Sequence, residues 1–98
     1  MPSALAALVR SIRDGSREAA ERLYALICQR RGSYVMRGVP YGDREDLIHN
    51  AFIIVLLAVQ RGSVNQPDSL PSYIHTVIAR ATSAYFRRQN WDGLSDIY

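Results

Sequence analysis

The stretch from Leu47 to Val59 constrains the fold most, because His49 and Asn50 are its only polar residues. A helix on the surface of a globular protein needs one apolar stripe, whereas this helix would be apolar nearly all round. At about 1.5 Å per residue it is too short to cross a bilayer. The stretch is therefore the central helix of a bundle or a helix that lends one face to a partner, and the polar residues at its start suggest both.

The flanking residues predict that this central helix runs from Asp43 to Arg61. Asp43 is expected to cap the first free backbone N–H groups, and the two acidic residues after it lie where the helix dipole favours anions. Gly62 is expected to end the helix. Capping explains these carboxylates better than a catalytic pair does.

Three further helices are predicted around the central one. The first covers Ala4–Asp14, and the second starts near Arg17 with a weak point at Arg30–Gly32. A polar loop, Gly62–Leu70, leads to the last helix over Pro71–Asn90, with two candidate capping residues before it. The apolar residues of the first two helices are Leu5, Leu8, Val9 and Ile12, then Ala20, Leu23, Tyr24, Ile27, Tyr34 and Val35; the candidate caps are Asp68 and Ser69.

The fold class is therefore predicted to be all-α, a compact bundle of about four helices. The chain of 98 residues is long enough for one domain with one modest core. Residues 1–90 are assigned to this domain. Residues 91–98 lack helical periodicity and are assigned to a linker or a docking tail.

The last helix divides by angle into two faces. At about 100° per residue, one face is apolar and should be core, and the opposite face is polar and basic, with an aromatic residue at its start and no acidic residue. Such a face can combine phosphate contacts with a stacking surface for bases. The core face holds Ile74, Val77, Ile78, Ala81 and Tyr85; the opposite face holds Tyr73, Thr76, Arg80, Ser83 and Arg87, with Arg88 beside it.

The composition agrees with nucleic-acid binding and disfavours catalysis. All twelve basic residues are arginine, which suits phosphate forks, although a high-GC genome explains the same bias. His49 and His75 lie on different helices without clustered metal ligands, and no phosphate loop or catalytic motif occurs. We expect no enzyme activity, no metal and no cofactor. The single Cys28 and the absence of a signal-type N-terminus favour the cytoplasm.

Three motifs in this order resemble region 2 of the bacterial RNA polymerase sigma factors, in particular the extracytoplasmic-function group. The resemblance covers about residues 5–90. Leu8-Val9-Arg10, Asp14-Gly15-Ser16-Arg17-Glu18-Ala19 and Leu23-Tyr24 resemble the opening helices; Asp43-Arg44-Glu45-Asp46-Leu47-Ile48-His49-Asn50-Ala51-Phe52 resembles the core-binding motif; Leu70-Pro71-Ser72-Tyr73-Ile74 and Tyr85-Phe86-Arg87-Arg88 resemble the promoter-reading helix.

The resemblance implies a transcription initiation domain in the bacterial cytoplasm. The central helix would bind the β′ clamp of core RNA polymerase, and the loop with the last helix would capture the −10 promoter element as a single strand, with one base flipped into a loop pocket. The implied polymerase-binding residues are Asp46, Leu47, His49, Asn50 and Ile53; the implied DNA-binding residues are Asn65, Gln66, Asp68, Ser69, Tyr73, Thr76, Arg80, Ser83, Arg87 and Arg88.

The chain departs from the family pattern at several positions. His49 and Asn50 replace Gln and Glu, Tyr73 replaces Trp, and Arg80 and Ala84 stand where Asn and Asp are usual. The domain that reads the −35 element has no counterpart in these 98 residues, which are therefore either an excised domain or a short family member whose role has drifted. Ile54 and Leu57 occupy positions that are normally charged, so this face would be apolar. Either a rearranged helix or the tail of residues 91–98 covers it, or it binds a partner, with self-association as the simplest and favoured case. An alternative function therefore stays open: a sigma-fold interaction module that binds polymerase, an anti-sigma protein or itself without reading DNA.

Overall fold

The computed structural model describes residues 4–32 and 36–97, the last eight of these as backbone only. Within these ranges the chain forms four α-helices: α1 (Ala4–Arg13), α2 (Arg17–Cys28), α3 (Tyr41–Gln60) and α4 (Leu70–Ile97). Short 3-10 turns cover Gln29–Gly32 and Pro67–Ser69. The predicted all-α bundle is confirmed. No helix among the described residues combines the length and the hydropathy that crossing a membrane requires.

The turn between α1 and α2 follows from two residues. Gly15 has a positive φ of 86°, which a residue without Cβ adopts at little cost, and the Ser16 hydroxyl accepts a hydrogen bond from the Ala19 backbone N–H at 3.2 Å. Helix α2 ends at Cys28, earlier than its apolar spacing suggested, and continues into the 3-10 turn at the predicted weak point. The residues Tyr34 and Val35, predicted to extend α2, lie outside the described residues.

Helix α3 begins at Tyr41, two residues before its predicted start. Pro40 occupies the N-cap position with a φ of −58° and without a side-chain capping bond, so the predicted capping role of Asp43 is wrong. Pro40 suits this end because its ring fixes φ near the helical value. The predicted end is confirmed, since Arg61 is the C-cap and Gly62 has a positive φ of 79°.

Helix α4 is longer at both ends than predicted. It starts at Leu70, and its backbone stays helical to Ile97, past the predicted end at Asn90. No proline follows Asn90, so each further turn can form its backbone hydrogen bonds. The predicted cap Ser69 instead donates its hydroxyl proton to the Gln66 carbonyl at 2.6 Å within the preceding 3-10 turn.

The core lies around α3, which packs against the other three helices. One side of α3 is buried, together with most of the predicted apolar faces of α1 and α4, of which Leu5, Ala81 and Tyr85 are only partly buried. Thr82 of α4 is also buried. The opposite side of α3 leaves three large aliphatic residues 41–47% exposed. We call these the apolar stripe: Ile53, Ile54 and Leu57. Helix α3 is therefore both the centre of the bundle and an exposed surface.

Two arginines fasten the ends of α3 to their surroundings. From α1, Arg13 donates from Nε to the Val59 carbonyl at 3.3 Å and from Nη2 to the Val64 carbonyl at 3.1 Å. At the other end, Arg44 donates from Nε to the Val39 carbonyl at 2.7 Å. These bonds fix where the loop after α3 and the segment before it leave the bundle, and so they position the candidate site.

Candidate functional site

The first candidate surface is a polar notch of about 430 Å³ between the start of α3 and the later part of α4. On α3, Asp46, His49 and Asn50 are exposed at its rim, while Leu47 is buried at its base. His49 and Asn50 lie three and four positions after Asp46, so these three residues share one helix face. The complete lining of the notch is Asp43, Asp46, Leu47, His49, Asn50, Tyr85, Arg88 and Gln89.

A hydrogen bond between the two helices closes one wall of this notch. The Tyr85 hydroxyl donates to Oδ2 of Asp43 at 2.6 Å. This bond, with smaller contributions from burial and from the carboxylate charge, raises the pKa of Tyr85 above its ordinary value because the carboxylate favours the protonated phenol. Asp43 thus joins α3 to α4 instead of capping its own helix.

The second candidate surface, the loop pocket, is a depression of about 390 Å³ between the loop and the first turns of α4. No charged side chain lines it, and the amides of Asn65 and Gln66 lie beside the half-buried ring of Tyr73. Tyr73 also packs against the core, which holds its ring in place. The complete lining is Ser63, Val64, Asn65, Gln66, Ser69, Ser72, Tyr73 and Thr76.

The third candidate surface, the helix groove, continues from the loop pocket along α4 and has a volume of about 360 Å³. Thr76 lines both depressions, so they meet at this residue. The groove is exposed and basic through Arg80 and Arg87, and no acidic residue lines it. Its complete lining is His75, Thr76, Ala79, Arg80, Ser83 and Arg87. A neutral pocket followed by a basic groove can hold a base and then its neighbouring phosphates.

The structure separates two residues from the set in which the sequence had placed them. Arg88, predicted to lie with the DNA face, lines the notch. Asp68 is exposed in the 3-10 turn and is not part of the loop-pocket lining. All the other predicted DNA-binding residues line the loop pocket or the helix groove, and Ile53 lies in the apolar stripe beyond the notch.

Sequence reasoning missed several lining residues. Tyr85 was interpreted only as core, although Arg88 and Gln89 follow it by three and four positions and so share its face. That spacing could have indicated the α4 side of the notch. Ser63 and Ser72 carry no comparable signal, because small polar residues beside a loop are common.

The order and geometry of these elements agree with a family comparison. The sigma-70 region 2 family profile matches residues 17–92, well over half of the chain. The chain belongs to the sigma-70 region 2 family. Comparison with curated proteins and with solved structures found no match.

Membership of the sigma-70 region 2 family gives the domain a role in RNA polymerase binding and promoter melting. Its partners are accordingly core RNA polymerase and promoter DNA, and the family is one of non-enzymatic transcription domains. The extracytoplasmic-function subgroup remains a prediction. Within the described part of the chain, no three His, Cys, Asp or Glu side chains come together as a metal site.

Proposed function

We propose that this region 2 domain docks on the β′ clamp of core polymerase through the notch and captures the −10 element as a single strand in the loop pocket and helix groove. The observation that supports this division is electrostatic. The notch is lined by two carboxylates on α3, Asp43 and Asp46, and by one arginine, Arg88, whereas the groove on the opposite side of α4 is lined by two arginines and by no acidic residue. One surface suits a basic protein partner, and the other suits phosphates.

Asp46 is the centre of the proposed docking surface. It is exposed, and it forms no ion pair within the part of the chain that the structure describes. An unpaired carboxylate beside the exposed His49, Asn50 and Ile53 can accept a basic side chain of a partner without first breaking an internal contact. Leu47 is buried and contributes by positioning this face, since little of it reaches solvent.

Arg88 belongs to this docking surface in our proposal, because it lines the notch rather than the groove. It would contact acidic or carbonyl groups of the partner while Asp46 contacts basic ones. The notch thus offers both signs of charge across two helices, a pattern that fixes the orientation of a docked partner.

The DNA surface is proposed to begin at the loop pocket. Extruding a base costs a few kcal/mol, and stacking on an aromatic ring returns about 1–3 kcal/mol per base. Tyr73 offers such a ring, already held against the core, and Asn65 and Gln66 offer amide groups for hydrogen bonds to base edges. The pocket has no charged lining, which suits a neutral base, and Arg80 and Arg87 in the adjoining groove would contact phosphates.

The docking assignment is tested by co-purification with core polymerase. Asp46→Ala should reduce the retained polymerase strongly and cost no more than about 0.5–1 kcal/mol of folding stability, because the side chain is exposed. Asp68→Ala, the removal of another exposed carboxylate that lies outside the notch, is the matched control. Wild-type retention by the Asp46 variant would contradict the docking assignment.

The DNA assignment is tested by titrating single-stranded oligonucleotides at several salt concentrations. Arg80→Ala should weaken binding and make the salt dependence shallower, since phosphate contacts release counterions. Tyr73→Ala should weaken binding while the salt slope stays the same, since stacking releases none. Arg10→Ala, at an exposed position on α1, is the control.

Arg88→Ala separates the two surfaces in the same pair of assays. It should reduce polymerase retention and leave the affinity for single strands near that of the Arg10→Ala control. A loss confined to DNA binding would return Arg88 to the DNA face and contradict its assignment to the notch.

The second candidate function, an interaction module that does not read DNA, is favoured by the apolar stripe alone. Under it, polymerase or an anti-sigma protein would bind α3 and the oligonucleotide titrations would show no saturable binding. Saturable binding that Tyr73→Ala weakens would exclude this alternative.

A further inference from the structure

The apolar stripe on α3 is flanked by opposite charges at equal distances. Asp46 lies seven residues before Ile53, and Arg61 lies seven residues after Ile54. At about 100° per residue these four residues, with Asn50 and Leu57, fall within an arc of about 100° on the side of α3 away from the core. Along one face of α3, an acidic residue therefore precedes the apolar stripe and a basic residue follows it.

We propose that this face binds a second copy of the chain, with the two α3 helices antiparallel. In an isologous contact the same patch of both subunits forms the interface. With a two-fold axis between Ile53 and Ile54, the apolar stripe of one subunit packs against the apolar stripe of the other. Asp46 then lies opposite Arg61 of the partner subunit, and Arg61 opposite the partner's Asp46. The aliphatic side chains, 41–47% exposed in the single chain, are covered at the centre.

The charges at both ends support this occupant over an unrelated apolar partner. Asp46 and Arg61 are exposed, and neither side chain is ion-paired within the described residues. A parallel arrangement would place like charges opposite each other, which is unfavourable. The charge order thus selects the antiparallel arrangement and fixes its register.

The dimer is expected to be weak. Stable interfaces bury about 800 Å² per partner over roughly 20–30 residues a side, and one face of a single helix offers much less. Association should therefore depend on chain concentration in the micromolar range or above. Because Asp46 and Asn50 also belong to the proposed docking surface, self-association and polymerase docking would exclude each other; this consequence rests on the proposed function.

The test is a charge exchange, measured by sedimentation velocity over a range of concentrations. Asp46→Arg and Arg61→Asp should each weaken self-association roughly 30-fold, since two attractive pairs become repulsive. Mixing the two variants should restore dimers, because every facing pair is then of opposite sign. Asp68→Arg and Arg17→Asp reverse exposed charges away from the stripe and serve as controls.

A second variant keeps the test independent of these charges. Ile54→Arg with Leu57→Arg should fold normally, as circular dichroism would show, and stay monomeric at all concentrations. A wild-type chain that is monomeric throughout, or mixed variants that form no dimer, would overturn the proposal; so would loss of the fold in the double variant. None of these measurements uses polymerase or DNA, so their failure is separate from failure of the proposed function.

Discussion

Replacing Arg13 by alanine should destabilise the bundle more than its exposed position suggests. Its guanidinium, at the end of α1, donates to the Val59 carbonyl in the last turn of α3 and to the Val64 carbonyl in the loop that follows. The negative end of the α3 dipole adds a favourable interaction with this cation. One side chain thus connects α1, α3 and the loop that forms the loop pocket.

The size of the effect follows from these two bonds. Hydrogen bonds from a charged donor contribute about 1.5–3 kcal/mol each when they are shielded, and solvent reduces that value for an exposed residue. We expect Arg13→Ala to lower the free energy of unfolding by about 1–2 kcal/mol. For a domain of this length the melting temperature should fall by about 5–10 °C.

The assay is urea unfolding followed by circular dichroism, with Arg10→Ala as the matched control. Arg10 is exposed on the same helix, and its side chain has no hydrogen bond or ion pair among the described residues. Arginine and alanine have similar helix propensities, so propensity should affect both variants alike. Arg13→Lys should fall between the wild type and Arg13→Ala, because it keeps the charge without the fork. Equal stability of the two alanine variants would refute this reasoning.

Two further predictions concern pH and backbone conformation. The hydrogen bond to Asp43 raises the pKa of Tyr85, so its contribution to folding stability is fully present below the unfolded tyrosine pKa of about 10 and is lost as pH rises through the folded-state pKa. Between about pH 9 and 11, Tyr85→Phe should therefore lose less stability than the wild type in urea unfolding. Stability curves that run parallel over this range would contradict the link. Gly62→Ala should lower folding stability by about 1–2 kcal/mol, because φ is 79° at this position. Gly42→Ala, in the first turn of α3, should raise stability by about 0.4–1 kcal/mol, because an added Cβ meets no atom within 4 Å there. Effects of equal sign in thermal melts would contradict the conformational argument.

The bundle could be predicted from the sequence because its signals are local. The apolar run of α3, the glycine at its end and the two faces of α4 all follow from helical spacing, and burial agrees with them. Exposure of Ile54 and Leu57 was also predictable, because the family pattern has charged residues at these two positions.

The predictions that depended on contacts between helices fared worse. Aspartate is a common N-cap residue, and so Asp43 was predicted to cap α3. In the folded chain its carboxylate instead accepts a hydrogen bond from Tyr85, which lies 42 residues away in sequence. Arg88 is adjacent to Arg87, and only the packing of α4 on α3 shows that one turns toward the notch and the other toward the groove. Such assignments require the position of the neighbouring helix, which spacing within one helix does not supply.

Helix α4 fixes the distance and the relative orientation of the proposed polymerase contact and the proposed DNA contact. Tyr73 and Arg88 lie on this helix without an intervening break, so about 22 Å of continuous helix separates the ring proposed to stack on a base from the notch. Inserting one residue between them would add only about 1.5 Å but rotate one surface by about 100° relative to the other. Inserting seven residues would lengthen this part of the helix by about 10 Å but rotate one surface relative to the other by only about 20°. The domain should therefore tolerate a change in the distance between the two surfaces better than a change in their relative rotation about the helix axis.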